Sequence, residues 1–74
     1  MKIEYLVKMA NDIGNFFAAE PDHEVAVQGV TEHLRKFWDL RMRRAIITHQ
    51  QEGGEGLSEV SAAAVTRLAG ESKV

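Results

Sequence analysis

His33-Leu34-Arg35-Lys36-Phe37-Trp38-Asp39-Leu40-Arg41-Met42-Arg43-Arg44 is the stretch on which the fold turns. Neither Gly nor Pro occurs between Gly29 and Gly53, so a continuous helix from Asp22 to Gln50 is formally possible. At 1.5 Å per residue it would span roughly 43 Å, too long for a compact domain of this size. Asp39 is a good N-cap type and the one plausible interruption. A break at Trp38 to Leu40 therefore divides the stretch into one helix over Asp22 to Trp38 and another over Leu40 to Gln51. The second helix of the chain then carries a narrow apolar seam of Val27, Val30, Leu34 and Phe37, flanked by Ala26 and His33. The third carries Leu40, Met42, Ala45, Ile46 and Ile47.

Upstream, Leu6, Met9, Ala10, Ile13, Phe16 and Phe17 recur at three- and four-residue steps, which predicts a first helix from about Glu4 to Ala18. Ala10, Gly14 and Ala18 make a second, small-residue row where a neighbouring helix could come close. Gly14 lowers helix propensity by about 1 kcal/mol relative to Ala, a cost that close packing would offset. Glu20-Pro21-Asp22 separates the first two helices, since Pro disfavours helical geometry before it and suits the first turn after it. A connection this short predicts an antiparallel hairpin. Downstream, Gly53 and Gly54 supply a C-cap with positive φ. Ser58 is the N-cap type for a last helix to about Ala69, with Leu57, Val60, Ala64, Val65 and Leu68 inward. Residues 70–74 are expected to fray. The expectation is an all-α, compact bundle of four short helices in a single domain of 74 residues.

A chain this short buries only about 60% of its unfolded surface and often needs a staple or a partner. It has no Cys, which removes disulfides and thiolate metal sites. The opening Met-Lys-Ile-Glu-Tyr-Leu-Val-Lys-Met-Ala-Asn-Asp holds no apolar run of signal-peptide or membrane-span length, so a cytoplasmic, membrane-free protein is expected. His23, His33 and His49 lack metal-site spacing and share no motif with a Ser or Cys nucleophile. Neither a metal site nor a catalytic residue is expected, and the chain is not an enzyme by itself. Gly53-Gly54-Glu55-Gly56-Leu57-Ser58 precedes a helix N-terminus but matches no phosphate-loop fingerprint, and reads as a turn.

The charge is distributed unevenly. From His33 to Arg44, Arg35, Lys36, Arg41, Arg43 and Arg44 face Asp39 alone, while the rest of the chain has four basic and ten acidic residues. Arginine forks pair with carboxylate or phosphate and stack on aromatic rings such as Trp38. Three readings stay open: a solvated basic face, a Trp-and-Arg interface hot spot, or a small nucleic-acid-binding or regulatory domain using the Arg35–Arg44 cluster, with Trp38 stacking a base. The net charge of −2 argues against nucleic acid.

Met9-Ala10-Asn11-Asp12-Ile13-Gly14-Asn15-Phe16-Phe17, His33, Phe37-Trp38, Arg41-Met42-Arg43 and Gly53-Gly54-Glu55-Gly56-Leu57-Ser58 together resemble the delta-subunit family of formate dehydrogenase. The resemblance runs from about Leu6 to Leu68. It departs at Leu40, where relatives commonly place a Pro that would enforce the helix break, and near Ser61, where a Pro often follows Leu-Ser. The resemblance implies a small, non-catalytic accessory subunit of a cytoplasmic, NAD-dependent formate dehydrogenase. Such a complex uses bis(molybdopterin guanine dinucleotide) with Mo or W, iron–sulfur clusters, FMN and NAD, none of them held stably by this chain. The implied role is assembly, molybdenum-cofactor insertion or stability, by docking on the large catalytic (alpha) subunit. His33, Phe37, Trp38, Arg41, Met42 and Arg44 are expected at that contact. Arg41, Arg43 and Arg44 are also candidates for the cofactor's phosphates during insertion, Arg41 and Arg44 sharing a helix face. The isolated chain could self-associate through the same surface.

Overall fold

Each helix is fenced by local signals, and in the computed structural model, which describes residues 2–71, these signals act where expected. The elements are α1 (Ile3–Phe17), α2 (His23–Phe37), α3 (Leu40–Gln51) and α4 (Glu59–Glu71), with no strand among the described residues. Asp22 caps α2, its carboxylate accepting from the Glu24 amide at 3.0 Å. Asp39 caps α3 by accepting from the Met42 amide at 2.9 Å. The break at Trp38–Asp39 is therefore made without a Pro, Leu40 taking the first helical position that a Pro would suit. Gly53 and Gly54 end α3 with φ of 119° and 64°, their amides returning to the Gln50 and His49 carbonyls. Ser58 accepts weakly from the Ser61 amide at 3.4 Å as α4 begins.

α2 lies most extensively on α4, and α1 and α3 pack around that pair. Leu6, Val27, Val30, Leu34, Ile46, Val65 and Leu68 form the shared interior with Trp38. Each such aliphatic side chain stabilises the fold by about 1.5–3 kcal/mol relative to leaving it exposed. α4 comes close to α1 at Gly14, where an added Cβ would collide with the Ser61 hydroxyl. Ser61 is fully buried there and donates to the Ala10 carbonyl at 2.8 Å. The small-residue row thus does what its composition indicates at Ala10 and Gly14, whereas Ala18 is exposed.

Several expectations change. Met9 and Phe16, placed in the apolar stripe of the first helix, are exposed, as are Phe37 and Leu40. The seam of α2 ends at Leu34. α4 continues through Gly70 and Glu71, where Arg35 holds the Glu71 carboxylate with two hydrogen bonds of 2.9 and 3.1 Å. The remainder of the expected frayed tail, 72–74, lies outside the described residues. Among the described residues no helix is long and apolar enough to cross a membrane.

Candidate functional site

The motif residues separate by position into scaffold and surface. Asn11 reaches across to the loop before α4, donating to the Gly56 carbonyl at 2.8 Å and accepting from the Ser58 amide at 2.9 Å. The Glu55 carbonyl accepts from His49 Nε2 at 2.7 Å. The glycine-rich loop is therefore clamped from α1 and α3, and Gly56 takes a φ of 88° to make the turn. Asn11, Gly14, His49, Ser58 and Ser61 are occupied in holding the fold.

Trp38, expected at a partner contact, is instead core: it is 5% exposed. Its amide still donates to the Leu34 carbonyl at 3.1 Å, so the indole lies one turn beyond Leu34 on the buried face, and the backbone departs from the helix (φ −88°, ψ 137°) only after it. Phe37, its chain neighbour and the last helical residue, is 72% exposed. The nucleic-acid reading thereby loses its stacking ring. Met42 is half-buried and packs on the core.

Phe37 belongs to an aromatic face built by α1 and α2. Its ring lies 4.8 Å from that of His33, tilted by 46°. Phe16, 76% exposed, meets Phe17 edge-on with centroids 5.1 Å apart. A shallow apolar depression of about 370 Å³ is lined by Asp12, Ile13, Phe16, Phe17 and His33. A smaller one, about 210 Å³, continues from Phe17 and His33 to Lys36 and Phe37 over Gly29. Glu32 lines its edge, its carboxyl held below the usual range first by the hydrogen bond from Gln28 (2.8 Å) and then by Lys36 and Arg35, against an opposing push from desolvation.

The basic cluster is divided by the fold. Arg35 is taken by Glu71, whose hydrogen bond raises the guanidinium pKa further. Arg67 bridges Glu24 at 2.6 Å and Gln28 at 3.0 Å, so two arginines bind α2 to α4. Among the described residues no ion pair reaches Arg41, Arg43 or Arg44. Arg43 and Arg44, with Thr48 and Gln51, line a groove of about 420 Å³ whose other walls are Leu40, Ile47 and Ala69. Arg43 Nε is shielded from solvent and has no hydrogen-bond partner. Arg44 also borders a second depression, with Ile3, Ala45, His49 and Glu52. Arg41 lies outside both, so the groove joins Arg44 to Arg43 rather than to Arg41. That set differs from the trio expected for cofactor phosphates. Among the described residues, no cluster of three or more His, Asp or Glu is placed to hold a metal ion.

The sequence comparison bears on both surfaces. A family model described as "NADH-dependant formate dehydrogenase delta subunit FdsD" matches residues 5–65, which span α1 to most of α4. No curated protein and no solved structure matches the chain.

Proposed function

The chain belongs to the NADH-dependent formate dehydrogenase delta-subunit family, and on that premise we propose that it is a non-catalytic accessory subunit that docks on the large catalytic subunit in the cytoplasm. Its contribution is to assembly, to insertion of the molybdenum cofactor or to stability of the complex. The observation that supports docking most is the aromatic face. Phe16 and Phe37 are both more than two-thirds exposed on a chain of only 74 residues, beside shallow apolar depressions. Large contiguous exposed apolar surface on a small protein marks an interaction site. Aromatic anchors of this kind carry a disproportionate share of interface energy.

The test is a native pull-down of the tagged full chain, with co-purifying proteins identified by mass spectrometry. The wild type is expected to recover the large molybdenum and iron–sulfur subunit. The double variant Phe16→Ala/Phe37→Ala is expected to lose it while keeping its helical content. Full recovery by that variant would remove the aromatic face from the contact, and failure of the wild type would refute docking itself.

A further inference from the structure

We infer that the groove along α3 receives an acidic, amphipathic helix of the partner protein, its carboxylate taken by Arg43 and Arg44. The inference rests on the docking reading and adds to it the chemistry of the partner. Three observations carry it. First, of the five arginines, Arg35 and Arg67 each pair with a carboxylate of this chain, whereas Arg41, Arg43 and Arg44 pair with none among the described residues. Second, Arg43 is half-buried on the groove with its Nε shielded and unbonded, which leaves the terminal guanidinium nitrogens to meet a carboxylate. Third, the wall beside the arginines is apolar, with Leu40 52% exposed and Ile47 and Ala69 completing it.

A guanidinium pair beside aliphatic side chains is complementary to Asp or Glu flanked by aliphatic residues. That is the composition of one face of an amphipathic helix lying in a groove. The lining runs along α3 from Leu40 to Gln51, about 16 Å of helix axis, enough for three turns of a partner helix. A free phosphate group would leave the apolar wall uncovered. Outside His33–Arg44 the chain has four basic and ten acidic residues, so an acidic partner is repelled elsewhere and oriented toward α3.

The experiment uses the full chain with its formate dehydrogenase complex and places a primary amine at the groove by Arg44→Lys. A zero-length carbodiimide cross-linker then joins that amine to any carboxylate in contact, and mass spectrometry locates the link. A link from position 44 to an Asp or Glu in a helical segment of the large subunit is the expected result. Charge reversal by Arg44→Glu is expected to weaken association about tenfold or more, with helical content unchanged because Arg44 is exposed. If the complex forms but position 44 gives no link and Arg44→Glu binds as tightly as wild type, the groove assignment is overturned while docking stands. A link to a second copy of this chain overturns it in favour of self-association. Unchanged affinity with reduced molybdenum content overturns it in favour of a cofactor phosphate. No association of the wild type removes both readings together.

Discussion

The aromatic face of α1 and α2 and the arginine groove of α3 are opposite kinds of exposed surface. The first exposes rings whose burial is favoured by release of water, without preference for direction and with little response to salt. The second exposes guanidinium groups whose attraction has a sign, an orientation and a strong dependence on ionic strength. Both surfaces sit on the same frame of α2 packed on α4, and both border residues that the frame has already used. On one side Phe37 is free and Trp38 is not. On the other, Arg43 and Arg44 are unpaired and Arg35 is not. In so small a protein, neither residue type nor nearness in sequence identifies a contact residue. The demands of the core are met first, and what remains is the surface on offer.

The comparison is sharpest at the Phe37–Trp38 step. Trp38→Ala should destabilise the chain by about 3–5 kcal/mol, the range for emptying a core site of a large aromatic, and a chain of this length has only about 4–11 kcal/mol in all. Thermal melts followed by circular dichroism should show it largely unfolded or strongly shifted. Phe37→Ala should keep the melting transition within about 0.5 kcal/mol of wild type while weakening association by about 2 kcal/mol or more. A Phe37 variant that melts early, or a Trp38 variant that melts normally, would break the division between frame and face.

Salt separates the two surfaces next. Raising ionic strength from about 50 to 200 mM shortens the screening length from about 14 to about 7 Å. Association of the Phe16→Ala/Phe37→Ala variant, measured at concentrations where it still binds, should be the more salt-sensitive, and that of Arg44→Glu the less. Equal salt dependence would mean that the two surfaces do not act independently.

The smallest effect expected lies at the edge of the aromatic face. Glu32 should titrate below its ordinary value of 4.5, chiefly because of the Gln28 hydrogen bond. A carboxyl depressed in the folded state contributes stability above its unfolded pKa and loses it as pH falls through the folded value. The Glu32 side-chain resonance should therefore show a midpoint under 4.5, and Gln28→Ala should move it upward. A midpoint unaltered by that substitution would assign the depression to Lys36 and Arg35 instead.

The helix ends were legible because their causes are local. Asp22, Asp39 and Gly53-Gly54 act within a few residues of where they stand, and α3 has the bounds its caps imply. The surfaces were less so. Met9 and Phe16 fit the helical apolar period but lie beyond the width of stripe that α2 and α4 cover. Arg35 looked like one cation among five until Glu71, thirty-six residues away, accepted it.

Four helices, their order, the break at Trp38–Asp39 and membership of the delta-subunit family are readable from the chain alone, since periodicity, caps and motif order are properties of neighbouring residues. Packing of the helices settles that Trp38 rather than Phe37 is buried, that Asn11 clamps the loop before α4, and that Arg43 and Arg44 are left beside Leu40, Ile47 and Ala69. Those outcomes depend on which part of each helix face its neighbours cover and on contacts between segments far apart in the chain. Local propensity carries no information about either.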